Sequence, residues 1–401
     1  MSFTQQFTLD RRITVDGGWV VTQNDDLPNS NGTRALTANR TTTNKWTILG
    51  TGDMSGGGDE GAQINSTNNG VSWSESGISQ VGYGANAMES PKRITWNGST
   101  SSPRWMSGNN FYPDSDTTNS GGSKPSIITT TNLTSWSRLL LPIDNTYCNS
   151  CTINQGITDT AYNNGTWAAL NSATGNVSVS SNNGSSWSSW KDPLGGYISG
   201  MAIVAGASNQ FAVGGRSGRV GYSSNNGSSF NNYTIGSGSP NRRRWFRGHY
   251  FPYEINVGNT RVGPNVWVFA GAMYANAYSG LHEILCYSTN GTSWTELNVD
   301  TRDSNNVTNC PDPGSNFLRS YRTIVDTGKG LWLRWLANAG TWQLWGSYHS
   351  LTEWHHIIDE PSGSYYGSSI SWLNRDLGLD YWNGRLVNGS NSGHICYLDF
   401  H

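Results

Sequence analysis

The run Arg242-Arg243-Arg244-Trp245-Phe246-Arg247 sets four guanidinium groups and two aromatic rings within six residues. Planar guanidinium forks match carboxylate and phosphate oxygens two at a time, so the run suits phosphate, a carboxylate or an acidic protein. As a solvated loop with Trp245 turned into a core, it would bind nothing. A second concentration is tryptophan in the final third, with Trp335, Trp342 and Trp345 among its members. Exposed, these rings would stack on sugars; buried, they would fill the space between sheets. Asp326, Asp376 and Asp380 are carboxylates of the type that flank a glycosidic bond in a hydrolase. Cys148-Asn-Ser-Cys151 is a lone CxxC with no second pair and no HxxxH beside it, so neither a metal nor a cofactor is expected.

The elements that must position these groups are announced by a repeat. SSNNGSSW at Ser180, Asn182, Gly184 and Trp187 returns as SSNNGSSF at Ser223, Asn225, Gly227 and Phe230. STNNGVSW at Ser66, Asn68, Gly70 and Trp73 fits the same frame. A form one residue shorter gives TTNLTSW, ending at Trp136, and STNGTSW, with Asn290, Gly291 and Trp294. A worn copy, YHSLTEW, ends at Trp354. Each copy follows a short run with the period of two that marks a strand, such as GNVSVS or GRVGYS. Asn-Asn-Gly tolerates positive φ and reverses the chain, and the aromatic residue then packs the hairpin from one side. The motif is a structural corner rather than a catalytic device.

Strands laid out around each corner make a four-stranded unit: a Gly-rich apolar strand, two more strands, and an outer strand led in by the turn. Such a unit is one blade of a β-propeller. The second strands number seven: KWTILGTG, PRWMSGN, TWAALNS, QFAVGG, NVWVFAGA, LWLRWLAN and GRLVNGS. In the last blade the inner strand is expected near Gly367 and the third in GHICYLDFH, with no outer strand after it. The N-terminal segment 1–17 supplies that strand. The expected fold is therefore all-β, one domain over 1–401: a seven-bladed propeller closed by an N-terminal strand, blades over 18–401. Insertions near 242–263 and 300–320 become loops, where binding usually lies.

Composition narrows the partners. Charged residues make up 13% of the chain and the formal net charge is -2, against a usual charged share of about 25%. Nothing global attracts nucleic acid or an anionic membrane. No apolar run reaches the roughly 18 residues of a membrane span, and MSFTQQFTLDRRITV lacks the apolar stretch of a secretory signal. The five cysteines are an odd set without a disulfide framework.

Ser-x-Asn-x-Gly-x-Ser-Trp at 66–73 and 180–187 resembles the Asp-box, or BNR repeat, of sialidase-like propellers, with Asn68, Asn182 and Asn225 at the family's Asp position. The resemblance implies the fold and not one activity. Sialidase-like catalysis would need three convergent arginines, a Tyr-Glu pair and an acid/base Asp. Arg216, Arg219, Arg322 and Arg334 are scattered, and Tyr253-Glu254 is the nearest approach to the pair. The neutral Gly/Ser/Asn/Thr/Trp-rich composition resembles tailed-phage virion proteins. The expectation is a non-enzymatic interaction module in a virion, of tail or fibre type, with other virion or assembly proteins and host-surface glycan as partners. The alternatives are a sialidase-like glycoside hydrolase and a cellular assembly scaffold.

Overall fold

The computed structural model describes residues 15, 19–22, 33–42, 44–53, 59–77, 93–111, 124–144, 156–196, 198–236, 243–274, 281–298, 324–327, 331–338, 341–359, 379–389 and 395–400. Strands follow one another without a helix among these residues. A short strand, β1 (Val20–Thr22), comes first. Blade 1 runs β2 (Thr33–Ala38), β3 (Trp46–Asp53), β4 (Asp59–Ser66), β5 (Ser74–Gly77). Blade 2 runs β6 (Ile94–Trp96), β7 (Trp105–Phe111), β8 (Lys124–Thr130), β9 (Ser137–Leu140). Blade 3 has β10 (Ile157–Asn163), β11 (Thr166–Asn171) and β12 (Val177–Ser180), and a single bridge from Val177 to Lys191 stands in for its fourth strand. Blade 4 runs β13 (Gly200–Ala205), β14 (Phe211–Gly215), β15 (Arg219–Ser223), β16 (Asn231–Thr234).

Blade 5 starts with the long β17 (Arg243–Phe251), is interrupted by a hairpin of β18 (Ile255–Val257) and β19 (Thr260–Val262), and continues as β20 (Val266–Tyr274), β21 (Leu281–Ser288), β22 (Thr295–Asn298). Blade 6 runs β23 (Val325–Asp326), β24 (Leu331–Asn338), β25 (Thr341–Tyr348), β26 (His355–Asp359). Blade 7 runs β27 (Leu379–Trp382), β28 (Arg385–Gly389), β29 (Ile395–Asp399), and β1 completes it. Pairing is antiparallel within each blade, so the chain steps outward strand by strand and returns to the centre to start the next. The result is the expected seven-bladed propeller, closed by an N-terminal strand.

Three details differ from expectation. The closing pairs are Val20 with Tyr397, Val21 with Cys396 and Thr22 with Ile395, with a further bridge from Val15 to Phe400; the rest of segment 1–17 lies outside the described residues. The inner strand of blade 7 is Leu379–Trp382, not the stretch near Gly367. Segment 242–263 is no free loop: its first half is the inner strand β17, and its hairpin docks on blade 6. There the Asn256 N–H donates to the His349 carbonyl (2.6 Å) and the Leu351 N–H donates to the Asn256 carbonyl (3.0 Å). The insertion at 300–320 lies outside the described residues.

The repeated corner links β4 to β5, β8 to β9, β15 to β16, β21 to β22 and β25 to β26, and in blade 3 it follows β12. Its geometry explains its composition. In the copy at Ser180 the serine Oγ accepts the Gly184 N–H (2.8 Å), while Asn182 Oδ1 accepts the Ser186 N–H (2.9 Å) and its Nδ2 donates to Ser186 Oγ (2.8 Å). The copies at Ser66 and Ser223 repeat these bonds, at 2.8–3.0 Å. Asn183 (φ 57°) and Gly184 (φ 86°) both take left-handed backbone, which glycine adopts freely and asparagine tolerates. Three of these corners also press on the preceding blade. A Cβ on Gly184 would come within 2.9 Å of Met106, one on Gly227 within 2.7 Å of Val179, and one on Gly291 within 2.3 Å of Tyr222.

The core is divided among the seven gaps between blades. Trp46 fills the gap between blades 7 and 1, Trp105 that between 1 and 2, Trp167 between 2 and 3, and Phe211 between 3 and 4. Trp267 and Trp332 do the same for the next two gaps, and Leu386 for the last. All seven stand near the start of a second strand and are fully buried.

Removing residues 1–22 takes away β1 and leaves the backbone edge of β29 unpaired. An open edge recruits other strands. The truncated protein is expected to melt several degrees lower and to self-associate in size-exclusion chromatography. A truncated protein that melts with the parent and elutes as a monomer would place ring closure elsewhere.

Candidate functional site

The inner strands of all seven blades surround a central cavity of about 500 Å³. Aromatic faces come from Trp96, Tyr162 and Tyr250, cations from Arg40, Arg93 and Arg247, an imidazole from His249, and carboxylates from Asp326 and Asp380. A strand points alternate side chains to opposite faces, so one inner strand feeds both this cavity and the blade interfaces.

Most of the acidic groups around the cavity are engaged in joining blades. Asp380 on β27 accepts the Ala38 N–H of blade 1 (2.9 Å), the Tyr381 N–H (2.9 Å) and Arg40 Nη2 (2.8 Å). Asp159, buried behind the lining on β10, accepts the Thr160 N–H (2.9 Å) and the Ile203 N–H of blade 4 (3.1 Å). Burial pushes its carboxyl above the usual range, against the opposing pull of Arg93 and Arg247. Blades 2 and 3 are tied by Thr95 Oγ1, which donates to the Thr160 carbonyl (2.7 Å). A bulge at Asp159 in β10 accompanies its turn toward the neighbouring blade.

Asp326 has a different partner. The Tyr253 hydroxyl donates to its Oδ2 (2.6 Å) and accepts from Trp332 Nε1 (3.1 Å), while the Tyr253 ring stacks on His349 at 4.4 Å. Burial, then the adjacent Asp326, raise the Tyr253 phenol above its ordinary range, so it is a donor and not a phenolate. Tyr253 and Glu254, the nearest approach to a Tyr-Glu pair in the sequence, are turned to different partners: Glu254 is exposed and faces Arg261 at 3.3 Å. Arg216 and Arg219 flank the turn between β14 and β15, and neither lines the cavity. Arg322 and Asp376 lie outside the described residues, and Arg334 is placed by its backbone on β24.

The basic run is dispersed. Arg243 is 5% exposed and forms a bidentate ion pair with Glu296, at 2.6 and 3.0 Å. Arg244 bridges through its backbone to Arg216 of blade 4, Trp245 is buried between blades 4 and 5, and Arg247 lines the cavity. Arg242 lies outside the described residues, as do Cys148 and Cys151. Among the tryptophans, Trp345 is a core residue with its ring edge-on to His356 at 5.7 Å. Trp335 and Trp342 are paired in β24 and β25 opposite Leu344 and Ala337. Sequence reasoning missed Arg93, Asp159, His249, Tyr162 and Tyr250. The alternation Arg247, His249, Phe251 carried a signal for His249, because a period of two puts all three on one face of a strand.

His249 stands half-buried in a cationic setting. Its Nε2 has no solvent contact and no hydrogen-bond partner, and burial, with Arg247 and Arg93 nearby, holds the imidazole well below the usual histidine range. It is neutral in the folded protein.

No protein-family profile matches the sequence, and no curated protein sequence matches it either. Solved structures do share the fold. YCF48 from Cyanidioschyzon merolae superposes with a TM-score of 0.53 at 11% identity, over 96% of this chain and 99% of the other. YCF48 bound to D1 peptide gives 0.51 at 12% identity, over 96% of each chain. The GH74 xyloglucanase from Xanthomonas campestris gives 0.57 at 11% identity, over 94% of this chain but 53% of the enzyme. This chain thus spans about half the length of the xyloglucanase. At these identities the likeness establishes a propeller fold.

Two outcomes follow from the buried charges. Arg243→Ala leaves Glu296 without its partner in a half-buried position, and should cost roughly 3 kcal/mol in chemical denaturation; a melting curve unchanged from the parent would mean that the pair contributes nothing. For His249 the folded pKa is depressed, so the unfolded protein takes up a proton first, near pH 6.5. Its contribution to stability is complete above that pH and is lost as the pH falls below it. Denaturation midpoints measured between about pH 7 and pH 5 should fall, and His249→Gln should flatten that limb.

Proposed function

We propose that this chain is a non-enzymatic docking propeller, a structural component of a tailed-phage particle of tail or fibre type. The carrying observation is the use made of the cavity's acidic groups. Asp380 and Asp159 accept backbone N–H groups from the next blade, and Asp326 is held by Tyr253. A general acid must be able to give and regain a proton beside a substrate; Asp380 and Asp159 are placed as structural acceptors. The five corners that carry asparagine resemble those of Asp-box propellers and have no formal charge, which suits a subunit packed among neutral neighbours. The YCF48 structure with D1 peptide supports the reading, since a propeller of similar fold there holds a segment of another protein. The virion setting rests on the low-charge, Gly/Ser/Asn-rich composition. Host-surface glycan is the further ligand class of the proposal, and the cavity's rings at Trp96, Tyr162 and Tyr250 are of the type that stacks on sugars.

A second reading, glycoside hydrolase, has one observation in its favour. Asp326 and Asp380 line the same cavity, and two carboxylates across a cleft are the minimum for glycoside hydrolysis. The two readings part in one set of measurements. Incubation with sialosides, xyloglucan and other neutral polysaccharides should release no sugar above buffer, and mass spectrometry of purified particles should find the protein in stoichiometric amount. Cleavage abolished by Asp326→Asn would establish the hydrolase, and absence from purified particles would end the virion reading.

A further inference from the structure

The sequence contains an unusual density of Asn-Gly pairs, the dipeptide whose asparagine converts most readily without an enzyme. Glycine offers no side chain to obstruct its own amide nitrogen. That nitrogen, after losing its proton to water or hydroxide, can attack the asparagine Cγ. The new bond closes a five-membered imide, the bond from Cγ to Nδ2 breaks, and ammonia leaves with the proton returned. Water then opens either of the two ring bonds to the imide nitrogen, giving aspartate or isoaspartate. The step requires a glycine N–H that a base can reach and an asparagine side chain able to swing over it.

Eight Asn-Gly pairs fall among the described residues, at Asn69, Asn97, Asn164, Asn183, Asn226, Asn290, Asn383 and Asn388. The fold treats them unequally. In the four repeated corners the glycine N–H is buried and donated to the first serine of the motif: Gly70 to Ser66 (2.8 Å), Gly184 to Ser180 (2.8 Å), Gly227 to Ser223 (2.9 Å) and Gly291 to Ser288 (2.9 Å). Asn97 is immobilised by its own side chain, which donates to the Ser102 carbonyl (2.9 Å) and accepts from the Ser99 and Arg104 N–H groups (3.2 and 3.1 Å). Asn388 is buried inside β28. At Asn383 the Gly384 N–H is directed at the Tyr381 hydroxyl and the Gly384 carbonyl accepts from Phe400 (2.7 Å).

Asn383-Gly384 is a two-residue hairpin tip with positive φ at both residues (48° and 86°), like Asn164-Gly165, but Gly384 is half-buried whereas Gly165 is exposed. Asn164-Gly165 is the exposed two-residue tip of the β10–β11 hairpin, closed by the pair Asn163 and Thr166. Both residues have positive φ, 43° and 87°, as a two-residue hairpin turn of the primed type requires. In such a turn the amide of the second central residue faces solvent. No side-chain or backbone atom lies within 4 Å of the position a Cβ would take on Gly165.

We propose that Asn164 is the leading site of spontaneous deamidation among the described residues, and that the first serine of the corner motif acts as a chemical shield for the asparagine-glycine pair it encloses. The consequence is local and mechanical. Isoaspartate lengthens the backbone within a two-residue turn, which cannot then keep the Asn163–Thr166 pairing. Asn163 also donates to the Ala207 and Gln210 carbonyls of blade 4, at 2.8 and 2.9 Å, so conversion at Asn164 loosens the tie between blades 3 and 4.

The test is peptide mass mapping of the intact protein held at mildly alkaline pH, beside the same protein unfolded in denaturant. In the unfolded protein the Asn-Gly pairs should convert at similar rates. In the folded protein Asn164 should convert about tenfold or more ahead of Asn69, Asn183, Asn226 and Asn290, the effect of a retained buried hydrogen bond on each glycine amide. Ser180→Ala, with folding verified by its melting curve, should bring Asn183 toward the rate of Asn164 while Asn226 stays protected. Ser223→Ala provides the same comparison at Asn226 if the first variant does not fold. Equal rates at Asn164 and the corner asparagines in the folded wild type would overturn the proposal, as would an Asn183 rate unmoved in folded Ser180→Ala.

Discussion

A ring of sheets closes only if every gap between neighbours is filled, and here one large apolar side chain stands at the head of each gap. Trp46, Trp105, Trp167, Phe211, Trp267 and Trp332 stand near the heads of successive second strands, each against the preceding blade. Burying one such ring removes on the order of 200 Å² from water, worth about 5 kcal/mol before entropy is counted. The corner glycines set the other side of the constraint. Because a Cβ at Gly184 or Gly291 would collide with Met106 or Tyr222, the corner can approach the blade before it closely enough for the ring to pack. Leu386 fills the gap between blades 6 and 7 with a smaller side chain. At the seam between blades 7 and 1, Arg385 adds a polar tie beside Trp46: held by Asp399 of its own blade (2.5 and 2.6 Å), it donates to the Asn69 carbonyl of blade 1 (2.5 Å).

The centre of the ring obeys a different rule. Inner strands cannot hydrogen-bond one another as a continuous sheet, because each belongs to its own blade, and their innermost N–H groups need partners from elsewhere. Asp380 and Asp159 supply those partners across the 7–1 and 3–4 gaps, while across the 2–3 gap it is a carbonyl that is satisfied, that of Thr160 by the Thr95 hydroxyl. The cavity is therefore polar for structural reasons first. Its remaining character comes from Arg93, Arg247 and a neutral His249 on one side and from Asp326, held by Tyr253, on the other.

The architecture was legible because its signals are local. Asn-Gly corners and period-two strands can each be read within a short window, and their recurrence at blade-length intervals is visible along the line of the sequence. The site was not legible, because its grouping is spatial. Arg242 to Arg247 looks like a positive patch when written in a line, yet strand alternation and the bulge between Trp245 and Arg247 send Arg243 to Glu296 and Arg247 to the cavity. Tyr253 stands next to Glu254 in sequence but bonds Asp326, which is contributed by the following blade. The hairpin at 255–262 also explains why the blade-6 corner is worn. Asn256 takes the bonds of the His349 carbonyl and the Leu351 N–H, and Ser350 there accepts the Glu353 N–H (3.1 Å) in place of an asparagine.

Asparagine, and not aspartate, at the third position of the corners has a physical consequence of its own. An aspartate at Asn68, Asn182 or Asn225 could accept the same backbone N–H, but the serine at the seventh position would then have to donate to it. With asparagine the direction reverses: Nδ2 donates to Ser72, Ser186 and Ser229, each at 2.8 Å. The corner keeps its shape and loses its charge, and the serine hydroxyl proton is released to seek an acceptor outside. Pressing a charged corner against a neighbour would require stripping water from a carboxylate, at a cost of several kcal/mol when unpaired; pressing a neutral one costs only exchange of hydrogen bonds. A perimeter built this way can be covered by other subunits with little dependence on salt or pH, whereas the buried ion pairs described above are concentrated where blades meet and where the ring closes.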